Sequence, residues 1–128
     1  MGDSLAILFI EDSEEDFALI QEALKCSGLQ FDGRRVDERD SMLAALTNEH
    51  WDLVLSDYSL PGLYFPEILA CIKKRWPSLP VILVSGTLGD TKAAVMVKLG
   101  ASYFISKDHL SELAPAIRRH VRREPRSQ

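Results

Sequence analysis

Asp52-Leu-Val-Leu-Ser-Asp-Tyr-Ser-Leu-Pro-Gly62 is the stretch on which the reading of this chain turns. Leu53, Val54 and Leu55 make a short apolar run that stops at Ser56 and Asp57, and Pro61-Gly62 signals a turn soon afterwards. A short apolar run bounded by turn residues reads as a buried strand of a parallel sheet, whose strands are covered on both faces. Open α/β sheets hold their ligands outside the carboxyl ends of their strands. Asp57 is therefore predicted to end an interior strand at a ligand-binding position. An aspartate there can equally do no more than cap the following loop. Its company elsewhere in the chain decides between the two.

Working outward, the rest of the chain alternates strand and helix with little spare loop. Leu5 to Ile10 is an apolar run that ends in Glu11-Asp12. Ser13-Glu14-Glu15-Asp16 then loads the first turn of a helix with acids, which suits the positive end of its dipole. Phe17, Ile20, Ala23 and Leu24 recur at helical spacing, and Gly28 closes that helix. Phe31 to Val36 is a more polar strand expected at or near a sheet edge. Asp40 or Ser41 is expected to cap a second helix with Met42, Leu43 and Leu46 on its buried face.

Beyond Pro61-Gly62, Pro66 suits the first turn of a third helix, whose apolar face is Ile68, Leu69 and Ile72 and which Pro77 stops. Pro80 to Gly86 contains a fourth buried strand ending at Ser85. Asp90 is expected to cap a fourth helix that runs through Leu99 to Gly100. Tyr103-Phe104-Ile105 makes a fifth strand ending in Ser106-Lys107, and a last helix is expected from about Ser111, with Pro115 tolerable near its start.

Length and composition fit this frame. The 128 residues, 46% hydrophobic and 27% charged, are read as one domain over 1–128, with a core of about 4–123 and a frayed tail at 124–128. No apolar run approaches the length of a membrane span, and the N-terminus lacks the features of a signal peptide, so a cytoplasmic location is expected, with no membrane partner. Cys26 and Cys71 lie in helical patterns without metal-ligand spacing and are read as reduced packing residues. The net charge of −4 is uneven: residues 1–32 carry eight acids against one lysine, and residues 108–128 carry five arginines against three acids. That tail is too weakly basic to argue for direct nucleic-acid binding.

Five strands alternating with five helices imply a doubly wound α/β fold, a five-stranded parallel sheet of flavodoxin-like order 2-1-3-4-5. In that order the polar strand ends converge: Glu11, Asp12, Asp57, Ser85 and Lys107. Three carboxylates pressed together repel one another unless a cation sits among them. Oxygen donors of this kind suit Mg²⁺ rather than a soft metal. A hydroxyl and a lysine beside the metal would suit a small anion such as a phosphoryl group.

These residues resemble the receiver domain of two-component response regulators. The resemblance is carried by Ile10-Glu11-Asp12, Ser56-Asp57-Tyr-Ser-Leu-Pro-Gly62, Val84-Ser85-Gly86 and Phe104-Ile-Ser-Lys107, at matching spacing, over about residues 4–123. It implies that Asp57 accepts a phosphoryl group from a histidine kinase or phosphotransfer protein, so that the chain acts as an aspartyl-phosphate signalling module and not as an enzyme on outside substrates. It implies Mg²⁺ held directly by Asp12 and Asp57, through a water by Glu11, and by the backbone carbonyl of Ser59. Lys107 would pair with Asp57 and then with the phosphoryl oxygens, Ser85 would move to the phosphoryl group, and Phe104 would turn inward with it. A downstream protein or output domain would meet the face of the fourth helix, fifth strand and last helix, and a homodimer is among the assemblies the resemblance allows.

There are departures from the family pattern. Asp108 stands where proline often follows the lysine, Ser85 where threonine is commoner, and Phe65 where glycine often opens the third helix. Ser85-Gly-Thr-Leu-Gly89 with Lys107-Asp108 is similar to receivers found with hybrid sensor kinases. Two readings outside the preferred one are a pseudo-receiver, which keeps the fold as a phosphorylation-independent interaction module, and a Mg²⁺-dependent phosphatase. The phosphatase would need a general acid and a cap that the sequence does not display. Arg118, Arg119, Arg122 and Arg123 are expected to crowd the last helix and to favour an acidic partner.

Overall fold

The computed structural model describes residues 4–86 and 88–121. Strands β1 (Leu5–Ile10), β2 (Phe31–Val36), β3 (Leu53–Ser56), β4 (Ser59–Leu60), β5 (Leu63–Tyr64), β6 (Val81–Ser85) and β7 (Tyr103–Ser106) are interleaved with helices α1 (Glu14–Cys26), α2 (Arg39–Asn48), α3 (Phe65–Arg75), α4 (Asp90–Lys98) and α5 (Leu113–His120). Five strands form one parallel sheet in the order β2-β1-β3-β6-β7. With the small β4–β5 hairpin set aside, this is the expected 2-1-3-4-5 topology, and the polar β2 lies at an edge.

Side chains alternate across the sheet with the period of two that a pleated strand imposes. From β1, Leu8 and Ile10 join Val54, Leu83, Met42, Ile68, Leu69, Ile72 and Met96 on the side of α2, α3 and α4. Ile7 and Phe9 join Leu55, Ile82, Ile20, Leu24, Leu113 and Ile117 on the side of α1 and α5. Both faces are covered, which is why β1, β3 and β6 read as unbroken apolar runs rather than alternating ones. Each fully buried Leu, Ile or Phe contributes about 1.5–3 kcal/mol of burial, so these two layers are the main source of stability.

Helix ends follow local chemistry. Ser13 is the N-cap of α1, its Oγ accepting from the Asp16 N–H at 3.1 Å. At the other end Gly28 takes φ +80° and the Leu29 N–H bonds to the Leu24 carbonyl, so the chain turns back into β2. Several expected boundaries move. Glu38, not Asp40 or Ser41, holds the N-cap position of α2; Asp40 lies inside the first turn, and the Ser41 hydroxyl donates to the Glu38 carbonyl. Asp90 is the first helical residue of α4 behind Gly89, and Leu99 is its C-cap.

The last helix begins at Leu113, two residues after the expected Ser111. Pro115 explains the delay: it has no N–H to give residue 111 and its ring would crowd that carbonyl. Starting at Leu113 puts Pro115 in the first turn, where the N–H is not needed. Lys107–Glu112 instead winds into 3₁₀ turns kinked at His109, with Ser106 Oγ accepting the Asp108 N–H at their start. The helix ends at His120, so of the four arginines expected on it Arg118 and Arg119 are present, while Arg122 and Arg123, like the tail at 124–128, lie outside the described residues.

Two features escaped the sequence reading. Ser59–Leu60 and Leu63–Tyr64 pair as an antiparallel hairpin around Pro61-Gly62, with Gly62 at φ +76°. Proline's fixed φ and glycine's freedom at positive φ suit the two central positions of such a turn. Phe65 is the first residue of α3 and is fully buried, its ring centroid 6.1 Å from that of Tyr58. It puts an aromatic anchor into the core at the very start of the helix.

Candidate functional site

The site is assembled by register. Ile10 of β1 pairs with Ser56 of β3, so Glu11 and Asp57 leave adjacent strands at the same level. The Asp57 N–H continues the ladder to the Ile10 carbonyl at 2.9 Å, and the Glu11 N–H continues it to the Val36 carbonyl at 3.0 Å. Carboxylate oxygens of Glu11, Asp12 and Asp57 thereby lie within 4.8 Å of one another. Glu11 and Asp57 are buried and Asp12 faces solvent, so the cluster has one open side.

Each buried carboxylate is held at both oxygens. Asp57 Oδ1 accepts the backbone N–H groups of Tyr58 at 2.6 Å and Ser59 at 3.3 Å, and Oδ2 accepts from Lys107 Nζ at 2.9 Å. Glu11 Oε2 accepts the Ser13 N–H at 3.1 Å, and Oε1 lies 3.0 Å from Lys107 Nζ. Burial pushes the Glu11 carboxyl above its ordinary pKa; hydrogen bonds from Lys107 and Ser13 oppose the shift, and the charge of Asp57 adds to it. Burial also works against the Lys107 charge, but hydrogen bonds to Asp16, Asp57 and Glu11 outweigh it and hold the ammonium well above its usual value.

The sequence-predicted residues divide into two groups. Glu11, Asp12, Asp57 and Lys107 come together. Ser85 is buried at the end of β6, in register with Ser106 of β7 one residue before Lys107. Ser59 contributes its N–H to Asp57 from the start of the hairpin. Phe104 is not at the cluster: it pairs with Leu83 and packs, half-buried, against the core layer of α2, α3 and α4.

Two contributors were missed. Asp16 Oδ2 lies 2.7 Å from Lys107 Nζ, the shortest of that lysine's three ion pairs. Its sequence signal, an acid in the first turn of α1, points by itself only to a charge complementing the helix dipole. Arg35 reaches from β2 to the Glu11 carbonyl at 3.1 Å, with Glu14 and Asp37 also in reach, and so braces the loop that carries Glu11-Asp12.

Three carboxylates on one lysine, with Asp12 beside two of them, leave an excess of negative charge, and every ligand atom the cluster offers is an oxygen. That donor set fits a hard divalent cation, whose ligands sit about 2.0–2.6 Å from the ion. The class defined is thus a doubly wound sheet with an acidic cluster and a fixed ammonium at its switch point. A family model for the response regulator receiver domain matches residues 7–118, and the chain belongs to that family.

Relatives agree with this. The response regulator protein FleR of Pseudomonas aeruginosa is 28% identical over 116 residues, covering 90% of this chain and 24% of FleR. The sensory transduction protein RegX3 of Mycolicibacterium smegmatis is 29% identical over 119 residues, covering 92% of this chain and 51% of RegX3. The chain therefore spans about half or less of the length of these curated relatives. Among solved structures, the signal receiver domain of an HD domain-containing protein from Pseudomonas fluorescens Pf-5 superposes with TM-score 0.79 at 27% identity, covering 92% of this chain and 94% of that one. NtrX from Brucella abortus superposes with TM-score 0.78 at 28% identity, covering 93% of this chain and 27% of NtrX. Receiver domains are signalling modules of two-component systems, and this chain carries that fold and an acidic cluster of the expected kind. No helix among the described residues is long and apolar enough to cross a membrane.

Proposed function

We propose that this chain is a single, cytoplasmic receiver unit that takes a phosphoryl group onto Asp57 from a phosphohistidine of a kinase or phosphotransfer protein. The observation that carries the reading is the state of the Asp57 carboxylate. It is nearly buried, fixed at Oδ1 by two backbone N–H groups, and paired at Oδ2 with an ammonium. A side chain held this way is oriented before its reaction partner arrives, and orientation supplies much of the rate in such transfers.

In the transfer a carboxylate oxygen of Asp57 bonds to phosphorus as the bond from phosphorus to the donor histidine nitrogen breaks, and that nitrogen keeps the electron pair. Asp12 and Asp57 would hold Mg²⁺ directly, with Glu11 acting through a water and the Ser59 carbonyl as a further ligand; the ion supplies charge neutralisation at the phosphoryl oxygens. Lys107 donates to a second phosphoryl oxygen and Ser85 to a third. Burial of Glu11 and Asp57 keeps bulk water from the acceptor. The chemistry is self-directed and no outside substrate is turned over.

Incubation with acetyl phosphate and Mg²⁺, followed by intact mass measurement, tests the reading: one phosphoryl group per chain is expected. A chain that binds Mg²⁺ yet stays unmodified would instead be a pseudo-receiver. Mg²⁺ itself is expected to raise the thermal midpoint, since a ligand at a hundredfold its Kd stabilises by about 2.7 kcal/mol. Asp12→Asn should lose most of that shift. An equal Mg²⁺ response in the variant would move the ion away from Asp12.

For output, the proposed surface is α4, β7 and α5. Its exposed part is more apolar than the arginines alone suggested: Val95 of α4 and its C-cap Leu99 are exposed, and Tyr103 of β7 stacks on His120 with ring centroids 5.1 Å apart. Arg118 turns away, donating to the Ser27 carbonyl at the end of α1. We therefore place an apolar strip at the centre of the partner site and Arg119 at its rim. Phe104 of β7, half-buried against the layer of α2, α3 and α4, is the element whose packing would differ between the two states, and only a difference in partner affinity between those states shifts the population. Adding beryllofluoride and Mg²⁺ should move backbone NMR signals across residues 90–121. Changes confined to the loops around Asp57 would sever the site from this surface.

A further inference from the structure

The Lys107 ammonium has three protons to donate, and three carboxylates receive them: Asp16 Oδ2 at 2.7 Å, Asp57 Oδ2 at 2.9 Å and Glu11 Oε1 at 3.0 Å. Two of the three belong to the cation cluster and one does not. A carboxylate oxygen that coordinates a divalent cation, that accepts from a water polarised by that cation, or that becomes the ester oxygen of an acyl phosphate is a poorer acceptor for an ammonium. Glu11 and Asp57 therefore loosen their hold on Lys107 at the stage when its position matters. Asp16 keeps its own.

The anchor is itself well fixed. Asp16 sits in the first turn of the 13-residue α1, and its N–H is tied to the N-cap Ser13 Oγ at 3.1 Å. The lysine comes from the opposite end of the chain, 91 residues on, where β7 passes into the 3₁₀ turns. The pair thus joins α1 to the end of β7 across the mouth of the site. A free lysine stem has four rotatable bonds, and an ammonium held at one point samples far fewer positions than one released to solvent.

On the reading that Asp57 is the acceptor, we propose that Asp16 is a positioning residue: it keeps the Lys107 ammonium over the site while Glu11 and Asp57 are engaged with the cation and the phosphoryl group. The Asp16 side chain is 36% exposed, so solvent screens the pair and its effect is a matter of several-fold, not of orders of magnitude.

The test compares wild type, Asp16→Asn and Asp16→Glu by ¹⁵N NMR of the Lys107 ammonium, identified by its loss in Lys107→Met. In wild type the slowly exchanging resonance is expected with and without saturating Mg²⁺. In Asp16→Asn it should survive without Mg²⁺, when Glu11 and Asp57 still hold the lysine, and vanish with it. Asp16→Glu should restore it. In parallel, the rate of phosphoryl uptake from acetyl phosphate should fall about fivefold in Asp16→Asn, the factor that goes with ~1 kcal/mol of barrier, and recover in Asp16→Glu. A resonance that persists in Mg²⁺-loaded Asp16→Asn, or one already absent in Mg²⁺-loaded wild type, would overturn the proposal, as would an unchanged or faster uptake in Asp16→Asn. Wild type that takes up no phosphoryl group overturns the acceptor reading alone, and the resonance pattern then still decides whether Asp16 holds the lysine.

Discussion

Asp57→Asn is expected to abolish phosphoryl uptake from acetyl phosphate, leaving the intact mass unchanged under conditions in which wild type gains one group per chain. The substitution keeps shape while removing the nucleophile. A carboxamide oxygen still accepts the Tyr58 and Ser59 N–H groups that hold Oδ1, so the loop should stay in place and the loss should not reflect misfolding. What disappears is a charged oxygen able to form a bond to phosphorus. A carboxamide also presents its NH₂ towards Lys107, two donors facing each other where an ion pair at 2.9 Å stood, which leaves the lysine to Asp16 and Glu11. Folding is checked by circular dichroism and the modification by mass. An Asp57→Asn chain that gains phosphate as wild type does would move the acceptor to another carboxylate, with Asp12 the next to test because it is the exposed member of the cluster.

Much of this was legible from residue order alone, for identifiable reasons. Unbroken apolar runs at Leu5–Ile10, residues 53–55 and residues 81–84 mark strands buried on both faces, and that pattern permits a helix-covered parallel sheet and little else. Once the order of strands is set, residues just past their carboxyl ends must converge, so Glu11, Asp12, Asp57 and Lys107 could be gathered without coordinates.

What stayed hidden depends on where side chains reach, which spacing does not encode. Asp16 is one of three consecutive acids at the start of α1, and only the direction of the helix relative to β7 singles it out from Glu14 and Glu15. Arg35 looks like an ordinary charge on an edge strand until its guanidinium is seen at the Glu11 carbonyl. Arg118 belongs by sequence with Arg119, yet one residue of helix is a rotation of about 100°, enough to aim it at α1 instead. The delayed start of α5 was readable in principle, because Pro115 forbids an earlier one, but the 3₁₀ turns that fill the gap have no distinct periodicity of their own.

The second large effect is expected at Lys107, and it concerns stability. Lys107→Met keeps an unbranched chain of similar length while leaving Glu11 and Asp57 buried without their cation. Removing one partner from a fully buried pair destabilises by about 3–5 kcal/mol. The lysine is 16% exposed and Asp16 more so, which brings the expectation down to ~2 kcal/mol near pH 8. Its pH dependence has a definite sign. The Lys107 pKa is raised in the folded state, so its contribution is complete below the ordinary lysine value and is lost only as pH climbs through the raised one; at neutral pH wild type holds all of it. The Glu11 pKa is raised too, chiefly by burial, and for a carboxyl this means the folded state is penalised above that pKa and relieved as pH falls through it. Without the ammonium the Glu11 pKa should rise further. The deficit of Lys107→Met should therefore be large at pH 8 and shrink towards pH 5, as Glu11 takes up a proton in place of a neighbouring charge. Mg²⁺ should act in the same direction at pH 8 by a different route, supplying a cation to the same oxygens. Urea unfolding of both chains at the two pH values, with and without Mg²⁺, measures this directly, provided the slope against urea stays constant so that the midpoint reports stability. A deficit that ignores both pH and Mg²⁺ would mean that Lys107 supports the fold through the packing of its stem and not through its charge, and the electrostatic account of the cluster would have to be withdrawn.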